Sequence, residues 1–311
     1  MSADEHARLA NSVLRVLNRI PTRPNLVMSF VDSEGITAKA RLRPHEVVIE
    51  FGTANVLLVR DLSASIMSLP NTFQDIGDCA REDGARVPRR ARFPVSLRDM
   101  LAVEGDYNFC APICPMRASY VSGLVELALH GIMFHELAHI LLGHLHVLER
   151  HEVPTLGKLA MEWSADAYAA SLLAMSFSDK SLGGMDMVFR AFLFTSSMDY
   201  EMWQFGPVDS GNERVHPLPH HRILSAALSI QQVGARCGLR WEPKGSDLTD
   251  LIVAHRHITG SAVNVAYIEE SFKKPDVQLL EYWQREIRPL AQEYALVPLL
   301  TTGPYDDYFY R

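Results

Sequence analysis

Hydrophobic positions change their period twice along this chain. Leu9, Val13, Val16, Leu17 and Ile20 fall on one helical stripe, which predicts an amphipathic helix closed by Pro21 and Pro24. From Asn25 the period shortens. Leu26–Val31 is a strand candidate, Asp32-Ser33-Glu34-Gly35 is turn chemistry, residues 36–42 alternate, Pro44-His45 turns the chain again, and Val47–Phe51 is β-branched. The expectation is a three-stranded antiparallel meander. Residues 55–68 fit a helix better than a fourth strand, and residues 72–106 hold no sustained period. The helical period then returns. It predicts one long helix over 120–149, a break at 152–157, and further helices over 158–175, 185–205, 219–237, 246–257 and 275–296. The fold class is therefore α+β, an N-terminal antiparallel β-meander packed on a mostly helical body. With no internal repeat and no low-complexity linker, residues 1–311 read as one domain. Its parts are a β-containing one (1–115), a central set of helices (116–237) and a C-terminal helical one (238–311).

Composition narrows the function classes. The chain has 311 residues, 48% hydrophobic and 22% charged, with a formal net charge of −7. Nothing in that balance points to nucleic acid or to an anionic membrane surface. The N-terminus is charged, without the apolar core of a signal peptide. The most apolar stretch, residues 131–148, carries polar residues at its centre, which argues against a membrane span. A cytoplasmic protein is expected. Its four cysteines (Cys79, Cys110, Cys114, Cys237) are expected to be reduced thiols, because the CxxxC of Cys110 and Cys114 has no second pair to complete a zinc site. Arg81, Arg86, Arg89, Arg90, Arg92 and Arg98 read as a solvated loop, or, on a sharper reading, as a docking surface for an acidic partner.

The chemistry sits in the predicted long helix, at His135-Glu136-Leu137-Ala138-His139. Helical residues four apart lie about 40° apart around the axis, so His135 and His139 share one face and can grip one Zn²⁺. Glu136 follows the first histidine and is placed to act as general base toward a water there. The surrounding residues are apolar, and burying three polar side chains without partners would cost several kcal/mol each.

A catalytic zinc needs a third protein ligand. The pattern HExxHxxGxxH would require Gly at 142 and His at 145, where this chain has Leu142 and Leu145; His144 and His146 read as helix-end residues. The better candidate is the next helix. Glu162 and Asp166 in Glu162-Trp163-Ser164-Ala165-Asp166 are four apart and share a face. Glu162 would complete the ligand set and Asp166 would accept an N–H from a ligand histidine, fixing its tautomer. Glu149 and Glu152 are rivals by proximity only. Further on, His216, His220, His221 and Arg222 cluster at a predicted helix start. His216 or His220 could donate to an oxyanion, and Arg222 could pair with a buried acid such as Asp166.

The three blocks HExxH, ExxxD (here EWSAD) and HPxxxxRI (here HPLPHHRI) resemble, in that order, those of the gluzincin peptidases of the HtpX and CAAX-prenyl-protease type. Trp163 matches the aromatic residue that follows their third ligand. Those proteins carry transmembrane helices and this chain shows none. A closer resemblance is to the Lit family of soluble, prophage-encoded metallopeptidases, covering roughly residues 25–60 and 120–230, although outside the three blocks little matches. The resemblance implies zinc on His135, His139 and Glu162, a general base at Glu136, and functional roles for Asp166, His216 and Arg222. It also implies endoproteolysis inside the cell, of the kind Lit uses in phage exclusion.

The expected function is thus a zinc-dependent endopeptidase acting on one or a few specific intracellular proteins, a phage-defence protease with a protein substrate and an activating partner. Two other classes fit the same residues: a non-catalytic, zinc-stabilised regulatory or binding protein, and a zinc hydrolase of non-peptide amides.

Overall fold

A computed structural model describes residues 25–33, 37–89, 109–196, 219–260 and 277–296, with Ala10, Asn11, Leu14 and Met100 besides. The amphipathic helix expected before Pro21 lies almost wholly outside these residues. The fold is α+β: a three-stranded sheet, β1 (Leu26–Val31), β2 (Ala38–Arg43) and β3 (Glu46–Gly52), followed by helices. These are α1 (Ala54–Met67), α2 (Pro115–Leu141), α3 (His144–Arg150), α4 (Thr155–Phe177), α5 (Leu182–Ser196), α6 (Pro219–Arg236) and α7 (Gly245–Thr259). A broken C-terminal helix closes the series: α8 (Val277–Tyr282), a π-helical turn (Trp283–Ile287) and α9 (Arg288–Tyr294).

The strands lie where expected, but they do not form a meander. Their order is β1-β3-β2, with β1 parallel to β3 (Leu26↔Val47, Phe30↔Phe51) and β2 antiparallel to it (Ala40↔Ile49, Arg43↔Glu46). The reason lies in β3. Val47, Val48, Ile49 and Phe51 are all buried, consecutive residues included, so both faces of this strand are covered and it takes the centre. β2 alternates, with Ala40 buried and Lys39, Arg41 and Arg43 exposed, the composition of an edge. Arg43 and Glu46 close a two-residue hairpin, so the backbone groups of Lys39 and Arg41 face β3, and those of Ala38, Ala40 and Leu42 face away. Asn55 of α1 pins the start of β2 by accepting from Thr37 N–H and donating to Thr37 C=O, both at 2.9 Å.

The expected helix over 120–149 is two helices. α2 begins earlier, with Pro115 in its first turn where no N–H is needed, and stops at Leu141. Gly143 then takes φ 76°, a left-handed conformation that favours glycine. A Cβ on Gly143 would also stand 2.9–3.0 Å from backbone atoms of Ala291, Tyr294 and Ala295. The C-terminal helix crosses here, and Leu296 N–H bonds the Leu141 carbonyl at 3.0 Å. That helix carries its own irregularity. Pro289 cannot donate to the carbonyl four residues back, and the π turn just before it absorbs the mismatch.

α2 is long and apolar enough to cross a membrane by length and composition, yet 78% of its most apolar window is buried within the protein. It packs on α1, α4, α5 and the sheet, and α4 packs in turn on α6. Small side chains allow this. Ala160, Ala165, Ala169 and Ala170 of α4 are fully buried, and Ala138 of α2 and Leu142 just after it cluster with Ala165. A second staple went unread in the sequence. Arg117 is fully buried and donates to the carbonyls of Met67, Leu69, Thr72, Phe73 and Ile76 at 2.8–3.3 Å, with Glu82 at 3.6 Å. It fixes the loop after α1 against the first turn of α2. Beyond that loop Arg81, Arg86 and Arg89 are exposed, while Arg90, Arg92 and Arg98 lie outside the described residues.

Candidate metal centre

The α2–α4 contact brings His135, His139 and Glu162 together. His135 Nε2 stands 3.1 Å from His139 Nε2 and 3.1 Å from Glu162 Oε2, and His139 Nε2 stands 3.3 Å from Glu162 Oε1. Both histidines are buried, and the Glu162 side chain is 16% exposed. One ligand atom from each lies within 4.8 Å of the others, so this group could hold a metal ion.

The residues fit a metal on two counts. Ligand atoms about 2.0–2.1 Å from a tetrahedral centre stand about 3.3 Å from each other, close to the separations here. The second count is hydrogen-bond accounting. Asp166 Oδ1 stands 2.8 Å from His135 Nδ1 and accepts its proton, so His135 Nε2 faces Glu162 with either a lone pair or a second proton. A lone pair and a carboxylate facing each other at 3.1 Å need a cation or a proton between them.

Asp166 is held in turn. Arg222, from the first turn of α6, donates to it through Nε at 2.7 Å and Nη2 at 2.9 Å, a two-pronged pair. Burial opposes the charged carboxylate, but the Arg222 and His135 charges prevail and hold Asp166 well below the usual range. Burial likewise opposes charge on His135, yet Asp166 and then Glu162 raise its pKa to about 10 in the metal-free protein.

Glu136 lies on the sheet side of α2. Its Oε2 accepts the Ala40 N–H of β2 at 2.6 Å, so the outward edge of β2 runs beside the site. No residue type signals a backbone contact of this kind. His144 is a helix-end residue as expected, the first of α3, but its side chain does more. Its ring is fully buried, with Nδ1 3.1 Å from His139 Nδ1, Nε2 3.3 Å from Ser164 Oγ, and the Trp283 ring edge-on at 5.2 Å. Burial, then the charges of His139 and His135, hold its pKa well below the ordinary value. The helix break at Gly143 is what returns a residue five positions after His139 to the same ring; HExxH followed by Gly-His was the available signal.

The remaining candidates divide. His220 is buried at the start of α6, 4.2 Å from the His221 ring, and His216 lies outside the described residues. Glu149 is 62% exposed and faces His146 at 3.9 Å, and Glu152 is exposed; neither belongs to the cluster. The cysteines are free thiols. No protein-family model matches this chain, and neither does any curated protein or any solved structure.

Proposed function

We propose that this protein is a zinc-dependent endopeptidase. The carrying observation is the convergence of His135, His139 and Glu162 at tetrahedral-ligand spacing, with Glu136, next to His135 in the chain, bonded to the outward edge of β2. Two nitrogens, one carboxylate and a place for water is the donor set of a catalytic zinc. Zn²⁺ bound there lowers the pKa of a water toward about 7 and polarises a carbonyl.

The chain's own groups do the rest. Glu136 takes a proton from the water as its oxygen attacks the scissile carbonyl carbon, and passes that proton to the amine nitrogen as the C–N bond breaks. Asp166 and Arg222 keep His135 in the tautomer whose Nε2 is free. His220 in the first turn of α6, or His216 before it in the sequence, is the proposed donor to the oxyanion. An extended substrate added to the outer edge of β2 would meet the backbone of Ala38, Ala40 and Leu42. In doing so it would take the Ala40 N–H that Glu136 now holds, and release the base as it binds. This supports a selective enzyme, silent until an extended protein segment or an activating partner opens that contact. A cytoplasmic protein substrate and a role in phage defence belong to the same proposal.

The same contact favours a second reading. A carboxylate satisfied by Ala40 suits a non-catalytic, zinc-stabilised binding protein; a zinc hydrolase of non-peptide amides would use the same residues. One experiment separates them. Proteome-wide N-terminal labelling compares cells expressing the wild type with cells expressing Glu136→Gln, which keeps the shape but cannot accept a proton. A few new N-termini found only with wild type support the endopeptidase. Identical N-termini would refute it under the conditions of expression.

A further inference from the structure

We infer that His144 is a positioning residue for the ligand His139, holding its ring by a nitrogen-to-nitrogen hydrogen bond so that Nε2 faces Glu162 and His135. The inference rests on the metal-ligand role of His139 and is independent of peptidase activity.

The argument is a count of protons along one line of contacts. Ser164 Oγ lies 2.9 Å from the Met161 carbonyl of its own helix, and its single proton goes there. Oγ then has only lone pairs for His144 Nε2 at 3.3 Å, so that nitrogen carries a proton and donates it. The His144 ring is enclosed between Trp283 and His139, with no exposed surface. A neutral imidazole has one N–H, and the contact to Ser164 uses it. His144 Nδ1 therefore bears a lone pair. It faces His139 Nδ1 at 3.1 Å, and two facing nitrogens at that distance share one proton, which belongs to His139. A neutral His139 with its proton on Nδ1 has its lone pair on Nε2, 3.3 Å from Glu162.

His135 and His139 are thus oriented by different means. His135 has a carboxylate behind it, backed by Arg222. His139 has a neutral ring behind it, backed by Ser164 and a helix carbonyl. The second line depends on the Gly143 break, which swings His144 under His139, and on Trp283 of the C-terminal π turn, which packs on the far side of the His144 ring.

The test measures zinc affinity of the full chain by competition with a chromophoric chelator, with zinc alone as probe. His144→Leu keeps apolar volume against Trp283 and removes the acceptor. Zinc affinity is expected to fall about 10–100-fold. His144→Asn puts an oxygen near the Nδ1 position and is expected to recover much of that loss. Equal affinity in wild type and His144→Leu would overturn the inference. So would a loss in His144→Leu that His144→Asn does not recover, since His144 would then serve packing alone. A wild type that takes up no zinc removes the ligand assignment, and this inference with it. If His144→Leu does not fold by circular dichroism, ¹⁵N spectra of the zinc-loaded wild type decide. A coupling between the two Nδ1 nuclei across the hydrogen bond, with a proton on His144 Nε2, is expected; a proton on His144 Nδ1 refutes the assignment.

Discussion

Asp166→Asn tests the second line of the metal centre with little change of shape. The carboxylate receives three donors: His135 Nδ1 at 2.8 Å, Arg222 Nε at 2.7 Å and Arg222 Nη2 at 2.9 Å. Asparagine has one oxygen, and its amide would place N–H groups against another donor. One contact at least is lost and one buried donor is left facing a donor, at about 1–3 kcal/mol. Removing one member of a buried ion pair costs about 3–5 kcal/mol. The Arg222 side chain is 25% exposed and can recover part of its hydration, so the lower end applies: about 2–3 kcal/mol from the metal-free protein. Zinc binding suffers separately, because the His135 ring is no longer fixed. About 10–100-fold weaker binding is expected, or about 1.4–2.7 kcal/mol. Urea denaturation of the metal-free protein measures the first quantity and chelator competition the second. A stability change under about 0.5 kcal/mol, the range of ordinary surface substitutions, with unchanged zinc affinity, would show that Asp166 does not anchor His135.

Other expectations follow from the same structure. Glu162→Ala should leave purified protein with well under stoichiometric zinc by elemental analysis, while Glu149→Ala, at a side chain 62% exposed, should keep a full complement; the reverse pattern would replace the third ligand. Arg117→Met should take a donor from five buried carbonyls, of which Leu69's keeps Thr72 Oγ1 and Phe73's keeps the Ile76 N–H, and lower Tm by roughly 10 °C; an unchanged melting curve would show that the staple contributes little. His255 is buried, and burial lowers its pKa to about 4. The unfolded chain therefore binds the extra proton first. The stability this group contributes is complete above its ordinary value of about 6.5 and is lost as pH falls toward about 4. His255→Leu should flatten the dependence of the denaturation midpoint over that window, and an identical slope in both proteins would remove His255 as its cause.

How much of this was legible depended on whether the information was local. The helix period alone puts His135 and His139 on one face, and likewise Glu162 and Asp166. Residue chemistry then says which atoms should meet, and the α2–α4 contact brings them to 3.1–3.3 Å. Arg222 was readable as a partner for Asp166 because a buried carboxylate needs a cation. Strand order was not local. The turns at 32–35 and 44–45 suggested neighbours in sequence order, whereas the consecutive apolar residues Val47, Val48 and Ile49 of β3 were the sign that it would be central. Gly143 sat in a stretch so apolar that the helix looked continuous, and the φ of 76° that breaks it follows from a backbone crossing more than 140 residues later in the sequence.

The least legible contact bears most directly on chemistry. Glu136 was identified as a base by its place after His135, yet its immediate partner is the Ala40 N–H, a group that every residue but proline carries. Only the pairing of β2 with β3 says which backbone groups of β2 point outward, and only the packing of the sheet on α2 says what they point at. The Glu136–Ala40 contact ties the sheet to the HExxH helix beside the His135, His139 and Glu162 cluster. Lys39, Arg41 and Arg43 line the solvent face of that same strand, while Ala38, Ala40 and Leu42 turn their side chains toward the core. An extended segment pairing there, as proposed, would meet Lys39 and the ion pairs Arg41–Glu50 and Arg43–Glu46 on one face and the helical body on the other. Under the proposed function, discrimination among substrates would rest on β2, and the residues of the HExxH helix could stay the same while it changes.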